Sequence, residues 1–365
     1  MKIAKFKIFK FALPLVRPLI IGKTVLRKRK GLIVAIYDEN GHRGLGEISP
    51  LPGLSVEDTK KAKKELLNLR KSVLFSTIPD GLKALTGGFN RWLDSYELSP
   101  SVVFGFESAL LNLLAHKENK ELCGLISNEP KDIIFINALL MGHQDAILKK
   151  AKKLIQNDWR SFKLKIGRDL IEDDITRVEK IKEIIKEGIS LRLDANRAFT
   201  IEKALAFAEK LGKDKIDYIE EPVKNLSMLK ELSLKNKMSL PLALDESLKE
   251  ISPKDLPLFK GIKSIVIKPT TLGFERAIQL ARKAQSLGID PVISSSFESG
   301  LGIKILAQMA AAINKSDIPT GLDTINWFEK DLLVDPLQFN RGRLQVTDLN
   351  LSWKTLRQDL LIKVI

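Results

Sequence analysis

Six charged residues recur at near-equal intervals: Lys163 and Lys165, then Asp194, Glu220, Asp245 and Lys268, with 165 to 268 stepping by 23–29 residues. Each closes or occupies a short apolar run, where a strand covered on both faces should be apolar throughout. A step of this size is one strand–helix unit, and parallel strands closed into a barrel bring their C-terminal ends to one mouth, where barrel enzymes place their sites. Three carboxylates converging there raise one another's pKa unless a cation intervenes. Oxygen donors with no His or Cys beside them suit a hard divalent ion. A site of few carboxylates that keeps water suits Mg²⁺, with Mn²⁺ as a substitute. The competing reading makes Asp194, Glu220 and Asp245 caps of helix N-termini, a common role for one residue at a strand–helix turn; three in succession favour a metal site.

Lys163 and Lys165 stand two apart on one strand, so their side chains share a face. Neighbouring cations depress each other's pKa, which predicts a lysine able to act as a general base, with Lys268 reaching in from the opposite side. Two ammonium groups flanking a metal-bound carboxylate suit removal of the proton α to it, the metal stabilising the enediolate. Simple pairing of these lysines with the acids is the plainer alternative. Residues Ser294-Ser295-Ser296-Phe297-Glu298-Ser299-Gly300-Leu301-Gly302 open a predicted helix, whose N–H groups and hydroxyls could hold a substrate carboxylate or merely supply a Ser cap. His42, His116 and His143 lack metal-ligand or triad spacing, and Cys123 lacks a motif; they read as structural or surface residues.

The elements that must position these groups follow from hydrophobic pattern. Eight strands are predicted, at Ile133 to Leu139, Phe162 to Ile166, Ser190 to Asp194, Tyr218 to Glu220, Leu242 to Asp245, Ser264 to Lys268, Val292 to Ser295 and Thr320 to Asp323. Between them run helical patterns such as Ile147, Leu148, Ala151, Leu154 and Ile155, or Ile175, Val178, Ile181, Ile184 and Ile185. Eight units of about 25 residues give a (β/α)8 TIM barrel. A doubly wound sheet is disfavoured, since no Gly-x-Gly-x-x-Gly turn follows the first strand. Upstream, strands at Ala4 to Phe11 and Leu32 to Tyr37 and a helix from Val56 to Leu69 form an α+β element. The expected division is a capping domain over 1–100, joined by the tail 325–365, and a catalytic barrel over 101–324.

Composition narrows the function classes. The 365 residues are 44% hydrophobic and 29% charged, enough apolar material to order the chain. One cysteine forms neither an intramolecular disulfide nor a Cys-based zinc site, which fits the cytoplasm. No apolar run reaches the ~20 residues of a membrane span, and Phe11 to Val16 is too short for a secretory core. The net charge of +15 and the run Arg27-Lys28-Arg29-Lys30 suggest a nucleic-acid partner. Against that, the other lysines lie on polar helix faces, and three tyrosines offer little base stacking. The expected partner is a small carboxylate, with no nucleic acid and no membrane insertion.

The motifs Phe162-Lys163-Leu164-Lys165, Leu193-Asp194-Ala195-Asn196, Ile219-Glu220-Glu221-Pro222, Leu244-Asp245-Glu246-Ser247 and Ile267-Lys268-Pro269 resemble the enolase superfamily. Within it, Gly46-Glu47-Ile48-Ser49-Pro50-Leu51-Pro52-Gly53, Asn137-Ala138-Leu139-Leu140, the serine run and Gly321-Leu322-Asp323-Thr324 resemble the o-succinylbenzoate synthases of menaquinone biosynthesis. The resemblance implies a lyase in which Asp194, Glu220 and Asp245 bind Mg²⁺ and Lys165 removes the α-proton. It implies that Lys163 assists electrostatically and that Lys268 stabilises the enolate from the other face while a hydroxyl leaves. Arg192, Asn196, Ser294 and Ser295 would meet the substrate. N-succinylamino acid racemases and dipeptide epimerases share the lysines and carboxylates, and give the alternative function.

Overall fold

Two faces of the same strands are made of different residues, and that difference builds the barrel. A computed structural model describes residues 1–234, 238–256, 259–347 and 349–365. The chain opens with a long hairpin, β1 (Lys5–Ile21) and β2 (Thr24–Tyr37), followed by β3 (Arg43–Ile48), α1 (Thr59–Val73), α2 (Gly88–Leu93), α3 (Pro100–Lys117) and α4 (Leu122–Ile126). The first two strands are far longer than the apolar runs predict. Beyond Ala12 and before Gly31 they carry exposed Arg17, Arg27, Lys28 and Lys30, a polar face that hides the strand from a count of hydrophobic residues. Strand β3 lies directly on α3: a Cβ on Gly46 would sit 1.9 Å from the Gly105 carbonyl oxygen, so only glycine permits the approach.

The predicted first barrel strand divides in two. Its first half, β4 (Ile133–Phe135), leaves the barrel, and its second half, β5 (Ala138–Leu140), enters it. The chain then alternates α5 (Gln144–Gln156), β6 (Ser161–Lys165), α6 (Ile171–Ile184), β7 (Ser190–Asp194), α7 (Ile201–Leu211), β8 (Ile216–Glu220), α8 (Leu226–Leu234) and β9 (Leu242–Leu244). Next come β10 (Ile262–Ile267), α9 (Phe274–Ser286), β11 (Asp290–Ile293) and α10 (Gly300–Ile313). Between β9 and β10 the described residues hold short 3-10 turns instead of a helix. Strands β5 to β11 form one parallel sheet in chain order.

The eighth predicted strand, Thr320 to Asp323, is reduced to two bridges, one on each edge of that sheet. Thr320 exchanges backbone hydrogen bonds with Phe135 and Asn137, and Gly321 with Ile293 and Ser295, which closes the ring. Outward side chains such as Phe162, Leu164, Leu191, Leu193, Ile265 and Ile267 are buried in the main core. Inward Tyr218, Ala243, Val266 and Val292 pack together as a separate cluster in the barrel interior.

The tail goes to two places. Strand β12 (Arg343–Gln345) pairs antiparallel with β4, so this part of the expected joining tail does not reach the N-terminal sheet. Strand β13 (Ile362–Lys363) does, lying antiparallel to β1 at Phe9 and Lys10.

Candidate active site

Strand register sets the geometry at the mouth. Lys165, Asp194 and Glu220 are lateral partners on β6, β7 and β8, and Asp245 lies just past β9 on the same inward face. Asp194, Glu220 and Asp245 each offer one carboxylate oxygen within 4.8 Å of the others, and all three are buried. Lys163 Nζ stands 2.8 Å from Asp194 and 2.7 Å from Glu220 Oε2. Lys165 Nζ donates to Asp194 at 2.6 Å and to Asn196 Oδ1 at 2.7 Å. From the other side, Lys268 Nζ pairs with Asp245.

These contacts fix the charge states. Burial alone would raise the Asp194 carboxyl, but the ammonium groups of Lys163, Lys165 and Lys268 hold it far below the carboxylate range. Burial opposes Asp245 in the same way, and Lys268 lowers it. Glu220 is pushed up by burial and by Asp194. Lys163 does not follow the expected mutual depression of neighbouring cations. Burial would lower it, yet Asp194, Glu220 and Asp245 raise it above the usual lysine range.

The acids face one another and do not cap helices. Thr200 caps α7 through Lys203 N–H and Asn225 accepts from Met228 N–H at the start of α8, while the adjacent Glu221 accepts at Oε1 from the N–H groups of Asp245 and Ser247 in the turn after β9. A divalent cation fits the donor set: three buried oxygen ligands of suitable hardness, gathered within 4.8 Å of one another.

Above the charges lies a cavity of about 630 Å³. Lys163, Lys165, Lys268, Asn196, Ser294 and Ser295 line it from the barrel, and Leu19, Ile20, Leu51 and Leu54 from the N-terminal sheet and its loop. Arg192, expected beside them, is elsewhere. It shares the inward face of β7 with Asp194 but lies two residues, about 6.6 Å, deeper. Its guanidinium reaches Asp217 at 3.1 Å and the Pro319 carbonyl at 2.6 Å, against the Tyr218 ring. It is a barrel-floor residue outside the cavity lining.

The helix N-terminus after the serine run is also not an open anion site. Glu47, from β3, accepts from the N–H groups of Ser299 and Gly302 at 2.9 Å each, and Asp331 accepts from Gly300 N–H at 2.8 Å. Ser295 Oγ bonds Thr324 at 2.6 Å. Two residues that matter here carried no role in the sequence. Arg168 lines the cavity, and Arg29, hidden in a basic run, is buried between the loops that form the cavity's upper wall. Cys123 is buried, and His42 pairs with Asp38 at 2.8 Å.

Residues 146–350 match the family model for the enolase C-terminal domain-like fold, and residues 3–113 match that for the MenC N-terminal domain. The o-succinylbenzoate synthase of Aliivibrio fischeri is 31% identical over 361 residues, covering 95% of this chain and 98% of that protein. The N-succinyl Arg/Lys racemase of Bacillus cereus superposes with a TM-score of 0.86 at 22% identity, covering all of both chains. A dipeptide epimerase from Enterococcus faecalis, solved with Mg and the dipeptide L-Leu-L-Tyr, gives 0.81 at 22% identity over 95% of this chain and 97% of that one. No helix among the described residues is long and apolar enough to cross a membrane.

Proposed function

Because the chain belongs to the o-succinylbenzoate synthase family of the enolase superfamily, we propose that it dehydrates 2-succinyl-6-hydroxy-2,4-cyclohexadiene-1-carboxylate to o-succinylbenzoate in the cytoplasm, a step of menaquinone biosynthesis. The observation that carries this reading is the match of residues 3–113 to the MenC N-terminal domain, beside 31% identity to the o-succinylbenzoate synthase of Aliivibrio fischeri; Lys163 and Lys165 on one side, and Lys268 on the other, of three clustered carboxylates supply the groups for the chemistry. In this reading residues 1–100, joined by 325–365, cap a catalytic barrel of residues 101–324.

Asp194, Glu220 and Asp245 would hold the cation, Mg²⁺ with Mn²⁺ as a substitute. When bound, it supplies Lewis-acid stabilisation of the negative charge that proton removal places on the substrate carboxylate. Lys165, as the free amine, takes the proton α to that carboxylate. Lys163 stays protonated between Asp194 and Glu220 and adds positive charge beside the developing anion. Lys268 supports the opposite face of the ring. The C–O bond then breaks, the hydroxyl takes the proton held on Lys165 and departs as water, and the ring becomes aromatic. Asn196 orients the base through its 2.7 Å contact with Lys165, and Ser294 and Ser295 offer hydroxyls to the substrate's polar tail.

The test is loss of the cyclohexadiene absorbance and formation of o-succinylbenzoate by the purified protein, with Mg²⁺ and with EDTA. Rapid conversion that EDTA abolishes is expected. No conversion, with solvent deuterium instead entering the α-position of an N-succinylamino acid or dipeptide, would replace dehydration by racemisation or epimerisation on the same site.

A further inference from the structure

Arg29 is 2% exposed, and every hydrogen bond recorded for its guanidinium goes to a main-chain carbonyl. One pair of acceptors, Ser49 at 2.7 Å and Pro50 at 2.9 Å, belongs to the loop leaving β3. The other, Phe297 at 2.9 Å and Ser296 at 3.4 Å, belongs to the loop leaving β11. The carboxylates of Glu47 and Glu298 supply the nearby negative charge. Glu47 joins the same two loops, taking Ser49 Oγ and Ser299 N–H, whereas Glu298 ties the β11 loop to the turn after β10, taking Ser296 N–H at 2.6 Å and Thr270 Oγ1. A second clip, Lys249 Nζ to Leu54 O at 2.7 Å, holds the far end of the β3 loop to the barrel.

Both loops line the cavity, one through Leu51 and Leu54, the other through Ser294 to Phe297, whereas Arg29 does not. Burying a guanidinium is costly unless its donors are met, and here they are met by carbonyls of the two loops that form the cavity wall. We infer that Arg29 is a positioning residue that fixes the separation of the two cavity walls and thereby the shape of substrate admitted, without acting on the proton-transfer groups. The inference rests on the proposed reaction only for the choice of substrate.

The test uses the full chain as Arg29→Lys and Arg29→Met. The expected result in R29M is a KM raised about tenfold or more, with kcat within threefold of wild type and unchanged Mg²⁺ affinity by calorimetry. R29K, which can still satisfy part of the carbonyl set, should fall between. Hydrogen exchange should speed up about tenfold in 49–54 and 296–299 together, and stay unchanged in β6 to β10. An unchanged KM, or a fall in kcat at constant KM, overturns the assignment; so does unchanged exchange in the two loops. If R29M does not fold, R29K decides by the same criteria. Failure of the proposed reaction is separate, being read from wild type alone. The KM comparison then moves to deuterium uptake into an N-succinylamino acid, and the exchange comparison stands without any substrate.

Discussion

Two of the buried clusters of charge, one at the barrel mouth and one between the loops above it, are built on opposite plans. At the mouth, side chain meets side chain: Lys163, Lys165 and Lys268 against Asp194, Glu220 and Asp245. Between the loops, Arg29 meets carbonyls and Glu47 meets N–H groups, so the ionised side chains serve the backbone. Groups paired with one another can exchange partners when a cation and a substrate arrive, whereas groups that hold main chain keep one conformation. The first plan suits chemistry and the second suits shape.

Substitutions can break this contrast. Lys165→Ala should have the largest effect, a fall in kcat of about a thousandfold or more with the melting temperature and Mg²⁺ binding close to wild type. Turnover above a tenth of wild type would remove Lys165 as the base. Glu220→Gln should weaken Mg²⁺ binding about tenfold or more in calorimetry; unchanged binding would take Glu220 out of the ligand set. Glu47→Ala should do the reverse, costing about 2–4 kcal/mol of stability in urea titration, because it leaves buried donors of Ser299 and Gly302 unmet, while Mg²⁺ affinity holds. Loss of metal affinity without loss of stability would erase the division between the clusters.

A pH dependence sharpens the contrast at Glu107, a buried carboxylate outside both clusters. Glu107 accepts from the N–H groups of Phe274 and Glu275, and burial pushes it from 4.5 up to about 8. A raised carboxyl binds its proton more tightly in the folded protein, so its contribution is complete below about pH 4.5 and is lost as pH rises towards 8. Wild type should therefore lose melting temperature as pH rises across that window through this group, and Glu107→Gln should flatten the slope. Equal slopes would show that Glu107 is ionised throughout.

The mouth was legible in the sequence because its residues repeat with the strand–helix unit, so spacing alone implies a shared face. Arg192, expected at the substrate from the family resemblance and not from spacing, lies on the floor instead. Alternation gives the face of a strand but not the depth, and two residues separate the mouth from the floor. Arg29 and Glu47 were not legible as a pair with the serine run, because they meet it across more than 250 positions. The basic run around Arg29 reads as solvated charge. The eighth strand was overread for a related reason: Thr320 and Gly321 bond both neighbours but are too few to form a ladder. The long hairpin was underread, its outer half being stabilised by pairing and not by a continuous apolar face.

The pairing of Ile362 and Lys363 with Lys10 and Phe9 also orders events during synthesis. The outer edge of β1 leaves the ribosome more than 350 residues before its partner there. Until then that edge is open to any extended segment nearby, on the same chain or another. Lys5, Lys7 and Lys10 along β1 place like charges on every nascent copy, which discourages two such edges from joining while they wait.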